Sequence, residues 1–91
     1  MRLDKEHKTL LLPLTSSWDS FEADIQPWLE RLELRVLRKE NGADRHQWWL
    51  DFEGTELRLE FEEMSGSAWL EAEDEEGLEV LAFLARFHGG R

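Results

Sequence analysis

The sequence contains no cysteine. Disulfide bonds and thiolate metal sites are therefore excluded, and cysteine usage leaves the redox compartment open. No apolar run approaches the roughly 20 residues that a membrane-spanning helix requires. The first residues, MRLDKEHK, are charged and lack the apolar region of a signal peptide. We therefore expect a cytoplasmic protein in which residues 1–91 form a single domain and residues 1–7 a flexible lead.

Basic residues are scarce. The chain has 11 Lys and Arg residues against 21 Asp and Glu residues, for a net charge of -10. Residues 51–79 are the most acidic part, with twelve acidic residues, Arg58 as their one basic residue and a net charge of -11. Nucleic acids and anionic membranes bind through clustered Lys and Arg, so we expect neither as a partner. The same acidity either keeps the protein in solution or steers a basic protein towards it.

Motifs for catalysis and cofactor binding are missing as well. The histidines, His7, His46 and His88, do not have the spacing of metal ligands. The chain has no nucleophile elbow, P-loop or dinucleotide fingerprint. Asp44 and His46 resemble an acid–base pair, but a structural histidine that faces the core is the better interpretation. We predict no catalytic residue, no metal site and no cofactor.

Residues 46–62 carry the strongest pattern in the chain. Apolar and polar residues alternate there at period two, which indicates a sheet with one buried face. Glu53-Gly54 is a two-residue turn signal that pairs Phe52 with Thr55. This register places two apolar sets on one face: His46, Trp48 and Leu50 on the first strand, and Leu57, Leu59 and Phe61 on the second.

A second hairpin precedes this one, with a strand predicted at about residues 32–39. A three-residue loop at residues 40–42 places Val36 opposite His46 and Leu34 opposite Trp48, with both side chains inward. A two-residue turn is the alternative, but it would bury Arg35 in the core, at a cost of several kcal/mol. We therefore predict the longer loop.

A third hairpin follows, with a turn at Ser65-Gly66. It pairs Phe61 with Leu70 and adds a strand over residues 67–73. Asp74 is expected to cap the last helix, which ends at Gly89-Gly90.

The first part of the chain contains a strand and a helix. Residues 8–14, KTLLLPL, predict a short strand, and the serines and threonine of residues 15–17 supply helix caps. An apolar stripe at helical spacing follows: Trp18, Phe21, Ile25, Trp28, Leu29 and Leu32. Pro27 lies within the stripe and predicts a kink in a continuous helix.

The order of elements is therefore β-α-β-β-β-β-α, and the fold class is α+β. We predict a two-layer sandwich, with a mostly antiparallel sheet and both helices on one face. The first strand and helix are expected to cross over to a parallel neighbour in the right-handed sense.

Three segments resemble a small proteobacterial family of uncharacterised proteins of similar size, one of the domains of unknown function. They are NGADRHQWWLDFEG (41–54), MSGSAWLEAED (64–74) and GLEVLAFL (77–84). The resemblance covers residues 17–88 and implies a single bacterial domain. It implies no activity.

The outer face of the predicted sheet carries the candidate binding residues: Leu37, Trp49, Trp69 and Arg58. Arg58 is expected to lie over Trp49 as a cation–π contact, whereas Trp69, opposite Glu62, has no cation beside it. Exposed Trp and Arg are typical of binding hot spots. The alternative is a solvated face whose tryptophans are shielded by long side chains.

We interpret the chain as a protein–protein interaction module that binds another protein, or its own copy as a homodimer, through the open sheet face or an edge strand. One alternative is an acidic inhibitor or nucleic-acid mimic that occupies a basic site on a partner. A small-ligand binder or an enzyme is the other. Strong salt dependence of binding would favour the mimic.

Overall fold

Two helices pack on one face of a six-stranded antiparallel sheet, in a computed structural model that describes residues 1–88. The elements are β1 (Arg2–Asp4), β2 (Thr9–Thr15), α1 (Phe21–Arg31), β3 (Arg35–Asn41), β4 (Arg45–Phe52), β5 (Thr55–Glu62), β6 (Ser67–Glu71) and α2 (Glu75–His88). The spatial strand order is β1-β2-β6-β5-β4-β3. The predicted α+β class and the order β-α-β-β-β-β-α are confirmed, with β1 as an additional short strand.

Strand β2 does not have the parallel neighbour that the sequence suggested. It pairs with β6 in the antiparallel sense, with Leu10 opposite Leu70 and Leu11 opposite Trp69. Helix α1 carries the chain from β2 to the far edge of the sheet, where β3 lies. The chain then returns through three hairpins, which place β6 beside β2. The expected parallel pairing of β2 was therefore wrong. Within the predicted lead, residues 2–4 form β1 and pair with β2.

The central hairpin has the predicted register. His46 lies opposite Phe61, Trp48 opposite Leu59 and Leu50 opposite Leu57. Glu53 has a φ of 49° and Gly54 a φ of 95°. Two successive residues with positive φ are typical of a type I′ turn, the two-residue hairpin turn whose twist matches that of the flanking strands.

The register predicted for β3 was wrong. Val36 lies opposite Leu50, Lys39 opposite Trp48 and Asn41 opposite His46, with a bulge between Val36 and Arg38. Lys39 covers the inner side of the sheet edge, and its Nζ lies 4.3 Å from the centre of the Trp48 ring. The penalty for burying a cation does not arise there, because a long side chain at an edge can cover an apolar ring and keep its charge in water.

The end of α1 explains why β3 begins three residues later than predicted. The Leu34 N–H donates to the Leu29 carbonyl at 2.9 Å, and the Glu33 N–H donates to the Glu30 carbonyl at 3.2 Å. Glu33 has a φ of 57°. These bonds form a Schellman motif, in which glycine is the usual residue at the left-handed position.

Glu33→Gly is therefore expected to stabilise the protein by about 1 kcal/mol, because glycine adopts positive φ without the steric cost of a Cβ. Urea unfolding measures the change. Glu33→Ala is the matched control, since it removes the exposed carboxylate but keeps the Cβ. A glycine variant no more stable than the alanine variant would contradict the assignment.

The third hairpin also differs from the prediction. Leu59 lies opposite Leu70 and Phe61 opposite Ala68, a shift of two residues. An even shift leaves every side chain on its predicted face. The β5–β6 loop is longer than the predicted two-residue turn and places Gly66 against Ser16. A Cβ on Gly66 would lie 2.7 Å from the Ser16 carbonyl oxygen.

Helix α1 is continuous through Pro27, as predicted. It begins at Phe21, so residues 15–17, which were predicted to cap it, lie before its first turn and do not cap it. The Ser16 hydroxyl instead donates to the Asp24 carboxylate at 2.7 Å. Pro27 and Ala23 are both exposed, so the Ala23 carbonyl freed by the proline faces water.

Pro27→Ala is expected to raise the free energy of unfolding by about 1–2 kcal/mol. Alanine is roughly 3 kcal/mol better than proline inside a helix, and the unfolded chain recovers about 1 kcal/mol of conformational freedom. Thermal unfolding with circular dichroism measures both stability and helix content. Ala23→Gly, at an exposed position of the same helix, should be destabilising by about 1 kcal/mol and serves as the control. A loss of stability on Pro27→Ala would contradict the expectation.

Both helices contribute to one core. It contains Phe21, Ile25 and Leu29 from α1, Leu81 and Leu84 from α2, and Trp48, Leu50, Leu57, Leu59, Phe61 and Leu70 from the sheet. Asp74 caps α2, as predicted, since its Oδ1 accepts from the Gly77 N–H at 2.9 Å. The predicted end of this helix at Gly89-Gly90 lies outside the described residues.

Candidate interaction surface on the open sheet face

The sheet face opposite the helices has no further layer within residues 1–88. Glu60 lies on this open face, yet it is only 2% exposed. Its Oε2 accepts from Gln47 Nε2 at 2.7 Å and from Arg58 Nε at 2.7 Å. Its Oε1 has no hydrogen-bond partner among the described residues and lies 3.6 Å from an Arg45 guanidinium nitrogen. Neighbouring side chains therefore bury this carboxylate without a covering layer.

Arg58 connects three carboxylates on the open face. Besides Glu60, it donates to Glu71 at 2.8 Å and to Glu73 at 3.1 Å. Burial by itself lowers the pKa of Arg58, but the charges of Glu71 and Glu60 outweigh it and raise the pKa above its ordinary value. The Arg58 guanidinium is thus engaged in ion pairs within the protein.

Trp49 is covered by a different arginine from the predicted one. The Arg38 guanidinium lies 4.0 Å from the centre of the Trp49 ring. The corrected register of β3 explains the difference, because it places Arg38 directly opposite Trp49. Trp49 is therefore partly shielded by a flexible, exposed side chain.

Trp69 is the indole of the open face without such a cover. It lies opposite Glu60 on β5 and Leu11 on β2, where the prediction placed it opposite Glu62. Its Nε1 donates to Glu71 at 3.1 Å, and no cation lies over its ring among the described residues. Beside Trp69 is a shallow hollow of about 250 Å³, also lined by Arg2, Asp4, Thr9 and Leu11.

Leu37 lies in the bulge of β3 and is 46% exposed. Strands β4 and β5 separate it from Trp69 on β6. Trp49 and Arg58 are direct cross-strand neighbours. The structure therefore brings together two of the four candidate residues and places the other two on either side of them.

The edge strands are poorly suited to adding a strand from a partner. Strand β3 carries Arg35, Arg38 and Lys39 along the edge and is interrupted by its bulge. Strand β1 is three residues long. Charges, bulges and short length are the usual protections of sheet edges. Both edge strands of the described sheet therefore carry such protections.

His46 is a structural histidine that faces the core, as predicted. Its ring stacks on Trp18 at 4.0 Å, and its Nδ1 bonds to Asn41 Oδ1. The same oxygen accepts from Trp48 Nε1 at 3.2 Å. Indole is a donor only, so the Asn41 atom is an acceptor and His46 carries its proton on Nδ1. Burial lowers the pKa of His46, which favours the neutral ring.

Sequence reasoning missed Leu11, Thr9 and the burial of Glu60. The run of leucines at residues 10–12 hides the alternation of β2, in which Leu10 and Leu12 are buried and Leu11 is half-buried on the other face. The pairing of Trp69 with Glu60 depends on the two-residue shift of the third hairpin. Only the order of the strands, which the sequence does not specify, could have revealed the hollow.

The described residues contain no group of three or more histidines and carboxylates arranged to hold a metal ion. Neither helix of the described chain is long and apolar enough to cross a membrane. Searches of curated proteins and of solved structures found no match. A comparison with protein families matched residues 1–89 to the family described as Protein of unknown function (DUF3630). Since the match spans nearly the whole sequence, the chain belongs to this family, a domain of unknown function.

Proposed function

We propose that the protein is a protein–protein interaction module that binds another protein, or a second copy of itself, through its open sheet face. The observation that carries the proposal is the position of Trp69. Its partly buried indole has no cation over it and forms one wall of the hollow that also contains Leu11. Tryptophans in such positions are the side chains that most often dominate binding energy.

The network around Arg58 supports this proposal. Arg58 fixes Glu71, which accepts from the Trp69 indole, and Glu60, which lies opposite Trp69. Binding costs less when the side chains at an interface are already ordered. The network thus prepares the Trp69 surface for a partner.

An acidic inhibitor or nucleic-acid mimic is the second candidate, and a specific feature favours it. A cavity of about 110 Å³ is lined by five carboxylate residues, with Arg58 as the one basic residue in its lining: Glu56, Glu71, Glu73, Asp74 and Glu76. A basic partner would bind there mainly through charge. Such binding weakens strongly as the salt concentration rises, whereas a partner anchored by Trp69 stays bound at high salt.

Affinity capture from the native host's lysate at low and high salt tests the proposal, with light scattering to detect self-association. Trp69→Thr is expected to remove on the order of 2 kcal/mol or more of binding while thermal unfolding changes little. Met64→Thr, at an 88% exposed position in the β5–β6 loop, is the matched control and should bind as the wild type does. Equal capture and equal oligomeric state for both variants would contradict the proposal, and capture at low salt alone would favour the acidic mimic.

A further inference from the structure

Helix α2 has an apolar stripe in which Val80 packs against the core and two large aromatic residues do not. Phe83 is 42% exposed and Phe87 55% exposed, and their rings are in contact, with centres 4.6 Å apart and planes inclined by 41°. Phe83 also contacts Phe52 at the end of β4, with ring centres 5.9 Å apart. Large exposed aromatic residues in contact with one another are typical of binding surfaces. This cluster lies on the helix side of the sheet, away from Trp69.

The cluster borders a hollow with an acidic rim. The hollow measures about 240 Å³ and is lined by Phe52, Val80, Phe83, Glu53, Glu76 and Glu79. No basic residue lines it within the described chain, and Glu53, Glu76 and Glu79 form no salt bridge with residues 1–87. Arg86 follows on the same helix but does not line the hollow.

The spacing of the stripe indicates the shape of its partner. Val80, Phe83 and Phe87 are three and four residues apart, so they lie in a row along the helix axis. Seven residues of helix extend about 10 Å, or roughly two turns. A second helix with apolar residues at the same spacing matches such a row, in the manner of an amphipathic helix in a groove.

The charges indicate the other half of the partner's chemistry. Carboxylates on the rim repel acidic segments and attract Lys and Arg that flank an apolar stripe. A second copy of this chain is a poor match, because its net charge is also -10. We propose that the Phe52–Phe83–Phe87 surface binds a basic amphipathic helix of another protein. This inference is independent of the open-face proposal.

Fluorescence anisotropy with a labelled synthetic peptide of leucine and lysine tests the inference. The peptide, of about 14 residues, carries leucine at helical three- and four-residue spacing and lysine elsewhere. We expect saturable binding to the wild type. A peptide of the same composition with its periodicity scrambled should bind far more weakly, as should a peptide with glutamate in place of lysine.

Variants assign the binding to the surface. Phe83→Gln with Phe87→Gln should weaken binding roughly tenfold or more, whereas Phe83→Leu should retain most of it. Glu76→Gln with Glu79→Gln should weaken binding and reduce its salt dependence. Met64→Thr, at an exposed position in the β5–β6 loop outside the Phe52–Phe83–Phe87 surface, is the control and should leave the affinity unchanged. Circular dichroism and thermal unfolding verify the fold of each variant.

Three results would overturn the inference. Unchanged affinity of the Phe83→Gln, Phe87→Gln variant would mean that charge alone attracts the peptide. Equal binding of the scrambled peptide would mean that no helical stripe is recognised. Light scattering that detects a wild-type dimer and a monomeric Phe83→Gln, Phe87→Gln variant would identify a second copy as the occupant.

Discussion

Trp48→Ala is expected to lower the free energy of unfolding by about 3–5 kcal/mol, the usual cost of truncating a large buried aromatic residue. Trp48 is 2% exposed, contacts Phe21 at 5.3 Å between ring centres and donates its indole N–H to Asn41. Its removal opens a cavity at the centre of the core and leaves Asn41 with His46 as its remaining side-chain partner. Urea unfolding followed by circular dichroism measures the loss.

Trp49→Ala is the matched control, because it makes the same change at the neighbouring residue on the other face of the sheet. Its ring is partly exposed and covered by the exposed Arg38 side chain. We expect Trp49→Ala to cost much less, about 1 kcal/mol, since a partly exposed ring buries less apolar surface in the folded protein. Equal large losses at both positions would mean that the open face is covered in solution.

Arg58→Ala is expected to destabilise the protein by about 3 kcal/mol, towards the lower end of the cost of breaking a buried ion pair. Glu60 would keep Gln47 and the more distant Arg45 but lose its closest cation. A buried carboxylate without its cation carries an uncompensated desolvation cost. Thermal and urea unfolding measure the effect.

The double replacement Arg58→Met, Glu60→Leu should recover most of this stability, because it removes both charges together. Arg38→Ala is the control for loss of a cation on the same face. Arg38 is exposed and lies over Trp49, so its removal should cost less than about 1 kcal/mol. Equal effects of Arg58→Ala and Arg38→Ala would contradict the role of Arg58 as the centre of the network.

The parts of the fold that the sequence predicted correctly depend on local signals. The alternation of residues 46–62 and the Glu53-Gly54 turn set the central hairpin, and Asp74 marks the start of α2. Each signal lies within a few residues of the structure that it determines. Local chemistry was therefore sufficient for the order of elements and for the inner and outer faces of β4 and β5.

The errors concern a backbone conformation, loop lengths and a strand pairing that the local sequence pattern did not indicate. Glu33 adopts a left-handed conformation that composition alone does not favour, and the start of β3 moves with it. The pairing of β2 with β6 depends on where α1 delivers the chain, which no local pattern specifies. The surroundings of Trp49 follow from the register of β3, and those of Trp69 from the pairing of β2 with β6 and the two-residue shift of the third hairpin. The outer-face positions of Trp49 and Trp69 could therefore be predicted, but their neighbours could not.

Site-specific photo-crosslinking tests the interaction proposal most directly. Benzoylphenylalanine is placed at Trp69 in one variant and at Met64, exposed and off the open face, in another. Both are irradiated in the native host's lysate and analysed by mass spectrometry. We predict a discrete covalent adduct from position 69, either with another protein or with a second copy, and little from position 64. Equal yields from the two positions, or no adduct from position 69, would contradict it.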